Sequence, residues 1–112
     1  MKPKAKKYLY DMYQAIVELE EIIKVFDNSF NKYKVNLTAK RAVERELEII
    51  GEALNKAVQE DPTIVIEGQQ KIISLRNYII HAYDSVQDEI IWGIVIKNVP
   101  VLKYELAGLL EI

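Results

Sequence analysis

The chain contains no cysteine. Disulfide staples, thiolate nucleophiles and sulfur-rich metal sites are therefore excluded. With no signal-peptide pattern either, a reducing cytoplasm is the expected location. Histidine occurs once, as His81, so a dedicated transition-metal centre is not expected. The Glu-x-x-His pair of di-iron bundles does not occur; Tyr78 stands three residues before the histidine. Four scattered glycines make no phosphate-cradling loop, and no cofactor is expected. No apolar run approaches the roughly 18 residues that suggest a membrane span, so no membrane association is expected. The longest run, Glu89 to Lys97, is short and charged at both ends. The formal charge of −2 argues against a surface that attracts nucleic acid everywhere. Any such contact must come from local patches such as Lys2, Lys4, Lys6 and Lys7, or Lys40, Arg41 and Arg45, each of which also reads as a solvated helix end.

What is present is an ordinary globular balance: 112 residues, 50% apolar and 29% charged. That supports one domain over 1–112 with a single core. Leu9, Met12, Ile16, Leu19, Ile23 and Phe26 step at three and four residues, predicting a helix over 4–26 that Asp27-Asn28-Ser29 stops. Val43, Leu47, Ile50, Leu54 and Ala57 predict a second helix from a Thr38 cap to about Gln59, ended by Asp61-Pro62. Gly51 inside it costs about 1 kcal/mol against alanine and hints at a close helix crossing. Residues 63–68 read as a loop. Further helices are predicted over 69–83, 86–97 and 101–111, with Asn98-Val99-Pro100 kinking or breaking the last pair. The fold class expected is all-α, a four- to five-helix up-and-down bundle.

The rarest residues gather in Ser74–Asp84. On a helix with Arg76 at zero, Tyr83 lies at about −20°, Asp84 at about 80°, Asn77 at about 100° and His81 at about 140°. Leu75, Tyr78, Ile79 and Ala82 occupy the opposite, packing arc. Ile73 and Ile80 interrupt the polar arc at about 60° and 40°. A pair of isoleucines one heptad apart on a polar face suggests a surface covered by a partner, and we expect a homodimer there. An imidazole trades protons near neutral pH, and a guanidinium forks onto phosphate oxygens. Arg76 and His81 together suit RNA cleavage. The imidazole would take the 2′-OH proton or protonate the leaving oxygen, while the guanidinium holds the developing charge. RNA carries its own nucleophile, so no metal is required. The offset of about 140° between the two suits a groove formed by two facing copies of the helix. The plainer alternative is a structural histidine hydrogen-bonded to Asn77 at i, i+4. Glu44/Glu48 and Glu48/Glu52 read more readily as a solvated helix face than as acid–base pairs. Glu52 reads as a partner of Lys56 at i, i+4, with a role in the cleft as the alternative.

The run Arg76-Asn77-Tyr78-Ile79-Ile80-His81-Ala82-Tyr83 resembles the R-N-x-x-x-H-x-Y signature of HEPN-domain proteins of the HepT-like toxin family. Tyr8-Leu9-Tyr10-Asp11 resembles the family's opening Tyr-Leu-x-Asp. Arg45 to Ala53 resembles its Arg-x-Leu-Glu-x-x-Gly-Glu-Ala helix. Glu89-Ile90-Ile91-Trp92, followed by Val99-Pro100-Val101-Leu102, resembles its closing helix. The chain departs from many relatives at Gly68-Gln69, where they carry Pro-Trp, and at Ser74, where they carry glycine. The resemblance implies a dimeric HEPN-like bundle acting as a metal-independent endoribonuclease toxin, in a type VII-like toxin–antitoxin system. Arg76 and His81 would be catalytic at the dimer cleft, with Asn77 in support. The implied partners are RNA and a cognate minimal nucleotidyltransferase antitoxin, which silences the toxin by attaching AMP to Tyr83. A non-catalytic helical subunit that presents substrate to a nucleotidyltransferase is the alternative.

Overall fold

The computed structural model describes residues 1–82 and 87–112, with the backbone alone at 80–82. Among these residues it is all-α, with no strand. α1 (Pro3–Val25) opens on Pro3, whose missing N–H costs nothing in a first turn. It buries Leu9, Met12, Ile16, Leu19 and Ile23, as their spacing predicts. Asp27 and Asn28 end it in left-handed backbone at φ 54° each, a conformation that short polar side chains tolerate. Ser29 then accepts the Lys32 N–H at 3.3 Å and caps a short helix, α2 (Phe30–Lys34), that the periodicity did not announce.

α3 (Leu37–Glu60) buries Val43, Leu47, Ile50, Leu54 and Ala57. Its cap is Asn36 rather than Thr38: the Asn36 Oδ1 accepts the Ala39 N–H at 3.0 Å. Both residue types cap well, and the amide sits two residues earlier. Ile64 and Ile66 of the following loop turn into the core while Val65 faces solvent. Gly68, at φ +71°, provides the left-handed step into α4 (Gln69–Ala82). α5 (Asp88–Gly93), a π turn (Ile94–Asn98) and α6 (Val99–Leu110) complete the chain.

Where a kink or a break is expected, at Asn98-Val99-Pro100, the chain passes through a wide turn without leaving the helix. The backbone stays right-handed helical at Ile94, Asn98 and Val99, and the Val99 N–H reaches back five residues to the Ile94 carbonyl. Pro100 has no N–H to give, and its ring crowds the carbonyl four residues earlier. The extra residue per turn absorbs both.

Ion pairs and caps show the helix directions. Lys4 at the start of α1 meets Glu60 at the end of α3 (3.4 Å), and the Lys2 N–H donates to Asp61 Oδ2. Lys103 of α6 meets Glu20 of α1 at 2.7 Å, and the Glu67 N–H before α4 donates to Glu105 of α6. α1, α3, α4 and α6 thus run alternately up and down. Tyr33 and Trp92, with ring centroids 5.0 Å apart and Phe30 alongside, fasten α5 to α2.

α3 and α4 cross closely at Gly51. A Cβ placed on Gly51 would lie 2.9 Å from the Arg76 Cβ and 3.1 Å from the Ile72 carbonyl oxygen. Gly51 therefore does what its position predicts, and what it admits is the stem of Arg76.

Candidate active site

Arg76 leaves α4 directly opposite Gly51, which sets its guanidinium beside the next residue of α3. The Arg76 Nε lies 2.7 Å from Glu52 Oε2, and its Nη1 donates to Asn77 Oδ1 at 3.3 Å. One edge of the guanidinium is thus held by a carboxylate and one corner by an amide. The side chain is 36% exposed, so the group is steadied without being sealed from solvent. A permanently charged fork in that state suits phosphate oxygens. Leu75 and Ile79 on the opposite arc are buried. Tyr78 is half-buried, and its hydroxyl accepts the Gln87 N–H at 3.1 Å, tying α4 to the start of α5.

Glu52 does more than its spacing suggests. Its Oε1 lies 3.6 Å from Lys56, the expected i, i+4 partner, but its shorter contact is to Arg76 through the other oxygen. Both contacts are present: Glu52 pairs with Lys56 as its spacing predicts and also reaches Arg76 across the helix crossing. The sequence signal lay in Gly51-Glu52 together, a close crossing followed by a carboxylate. The solvated-face reading fails for Glu44, which is buried and takes two bonds from the Arg41 Nη1 at 3.0 and 3.1 Å. Lys40 is bound to Asp88 at 3.2 Å, so this basic patch is largely neutralised within the chain.

Arg76 opens onto a cleft of about 430 Å³ between α1, α3 and α4. Its walls carry Tyr8 and Asp11, then Glu48, Glu52 and Ala53, with Lys7 and Lys56 at the sides. Residues from three separate blocks of the sequence pattern therefore converge on one space. Among the described residues no three His, Asp or Glu side chains are placed to hold a metal ion.

The His81 and Ile80 side chains, and Tyr83 entirely, lie outside the described residues. The backbone of residue 81 belongs to α4. Ile73 is half-buried and packs against the core of its own chain. No helix among the described residues is long and apolar enough to cross a membrane.

A family model described as "Ribonuclease HepT-like" matches residues 12–108. The chain belongs to the HepT-like family. Two proteins of Methanocaldococcus jannaschii, each named as a candidate RNase, are 34% and 33% identical over 104 residues. The matches cover 89% and 88% of this chain and 91% and 81% of theirs. A protein of Thermococcus cleftensis, named as a candidate ribonuclease HepT, is 32% identical, with 92% of this chain and 93% of its own covered. No solved structure matches the chain.

Proposed function

We propose that this HepT-like protein is a ribonuclease, the toxin of a toxin–antitoxin pair, cleaving RNA internally without a metal ion. The observation that carries the reading is Arg76. It is held at 2.7 Å by Glu52, half open to a cleft, and stands in the family signature five residues before the chain's one histidine. Arg76 binds the phosphate and stabilises the charge that develops on it. His81 moves the proton between the 2′-OH and the leaving 5′ oxygen, and Asn77 keeps the guanidinium turned. Two copies of the chain complete the groove, with Ile73 and Ile80 on the covered face. The antitoxin is a minimal nucleotidyltransferase that attaches AMP to Tyr83. In the helical spacing of the sequence Tyr83 falls on the side of Arg76, so the added phosphate would occupy the guanidinium and repel RNA.

One preparation tests these parts together. Purified full-length protein should sediment as a dimer and cleave single-stranded RNA in EDTA, and His81→Ala should lower kcat at least about 100-fold. After co-expression with the nucleotidyltransferase, mass spectrometry should find AMP on the peptide containing Tyr83. Cleavage that survives His81→Ala refutes the site. A wild-type protein that binds RNA without cutting it, and is harmless when expressed alone, is instead a substrate-presenting subunit.

A further inference from the structure

The cleft beside Arg76 has a second half that the Arg76–His81 chemistry does not use. Its centre is the half-buried ring of Tyr8 on α1. Two ammonium groups approach that ring, Lys7 Nζ from α1 and Lys56 Nζ from α3, each 5.8 Å from its centroid. That distance is within the range at which a cation is drawn to an aromatic face. The lysines belong to none of the sequence blocks quoted above, whereas Tyr8 opens the first of them.

Each lysine has a carboxylate neighbour, and both attachments are weak. Lys7 and Asp11 meet at 3.0 Å, but their side chains are 70% and 47% exposed, and exposed pairs contribute little. Lys56 stands 3.6 Å from Glu52, whose other oxygen is engaged by Arg76 at 2.7 Å. Arg76 is therefore the preferred partner of Glu52, and Lys56 is left loosely tethered. Both ammonium groups can exchange a carboxylate for a phosphate at small cost. Glu48 also lines the cleft and opposes a polyanion, so the lysines must reach the backbone from the sides of Tyr8.

We propose that this half of the cleft is a subsite for the nucleotide next to the scissile phosphate of a single-stranded RNA. Tyr8 carries the base, and Lys7 and Lys56 take the flanking phosphates. The proposal rests on the nuclease reading. An aromatic platform with cations around it is how proteins track a single strand without reading its sequence. The two ammonium groups, which lie over the Tyr8 ring without RNA, swing off it to the phosphates as the base stacks. At about 430 Å³ the cleft is of the size that small-ligand sites have, about 300–1,000 Å³, and its other end is the guanidinium.

The test uses full-length protein and a 5′-labelled, mixed-sequence single-stranded RNA, read by fluorescence anisotropy and by cleavage rate. In the Lys7→Gln/Lys56→Gln variant, the plot of log Kd against log salt should flatten by about 1.4, the loss of two single-strand phosphate contacts. KM should rise roughly tenfold with kcat within about twofold, because the lost contacts hold the strand and not the reacting atoms. Tyr8→Leu should weaken binding about tenfold and Tyr8→Trp should preserve it. Both lysines are exposed, so the double variant keeps its fold even where Tyr8→Leu does not.

If wild type cleaves and the double variant keeps its salt slope and KM, the subsite is refuted and the nuclease stands. If wild type neither binds nor cleaves RNA, the nuclease reading falls and the subsite with it. Unchanged RNA binding with lost capture of the nucleotidyltransferase assigns the face to that protein and overturns the RNA subsite.

Discussion

Two carboxylates six residues apart on α3 have opposite surroundings. Glu46 is buried against α1, where Glu18 repels its charge and Arg45 offsets part of that repulsion. Burial first, and Glu18 second, push its acid up to about 7. Glu52 faces α4, lies between Arg76 and Lys56, and keeps more than a third of its side chain in solvent. The α1–α3 seam thus holds a polar group that works against the fold at high pH. The α3–α4 crossing holds one that orders a cation at small cost. The difference separates a packing seam from a prepared site: in the first, an acid is buried beside another acid and resists ionising, and in the second the charge is compensated and left accessible.

The largest change should come from filling the crossing that places Arg76. Gly51→Val adds branches where even a Cβ lies 2.9 Å from the Arg76 Cβ and 3.1 Å from a backbone oxygen. Neither neighbour is the free end of a flexible chain, so the helices must part. Overpacking of this kind costs about 3 kcal/mol, readable as a drop in the urea midpoint at constant m. Cleavage should fall further than the loss of folded protein explains, because Arg76 moves away from Glu52. A variant with wild-type stability would show that the crossing is not tight.

The bundle and the crossing were legible because apolar spacing and a misplaced glycine each have one cheap structural explanation. Leu9 to Ile23 and Val43 to Ala57 declare their buried faces by period alone. The Arg76–Glu52 contact was not legible in the same way. Helix spacing brings Lys56 to Glu52, whereas Arg76 arrives from 24 positions away and only through the packing of α4. Tyr8 and its two lysines were hidden for the same reason, since the cleft has walls on three helices. Local chemistry also decided the α3 cap and the passage through Pro100. Asn36 and Thr38 compete for one role, and a proline permits a break, a kink or a π turn.

A smaller effect, of opposite sign at high pH, is expected in the seam. Glu46 ionises in the unfolded chain near 4.5 and in the folded protein near 7. Between these values the folded state binds the extra proton. The protonated form therefore favours folding at low pH, and that advantage is lost as pH rises through about 7. Glu46→Gln removes the charge and keeps the shape. It should raise stability by about 1–2 kcal/mol at pH 8, change it little near pH 4, and flatten the slope between. Denaturant melts at the two pH values measure this, and an equal effect at both would assign the change to packing instead of ionisation.

The smallest stability effect, and the sharpest contrast, belongs to Glu52→Gln. The pair with Arg76 is partly exposed, so the variant should unfold within about 1 kcal/mol of wild type. Its consequence lies in the site. The amide still accepts a hydrogen bond from Nε but no longer fixes the guanidinium by charge, so Arg76 samples more orientations around the phosphate. A misplaced electrostatic group lowers the rate of the chemical step, and kcat should fall about tenfold. The cleft also loses one negative charge, which favours the RNA polyanion, so KM should hold or decrease. A purely structural role for Glu52 predicts parallel losses in kcat and folded fraction and no gain in binding. A fall in kcat without a rise in KM, at near-normal stability, therefore identifies Glu52 as a positioning residue for Arg76. An unchanged kcat would place the Arg76–Glu52 pair with the other surface ion pairs.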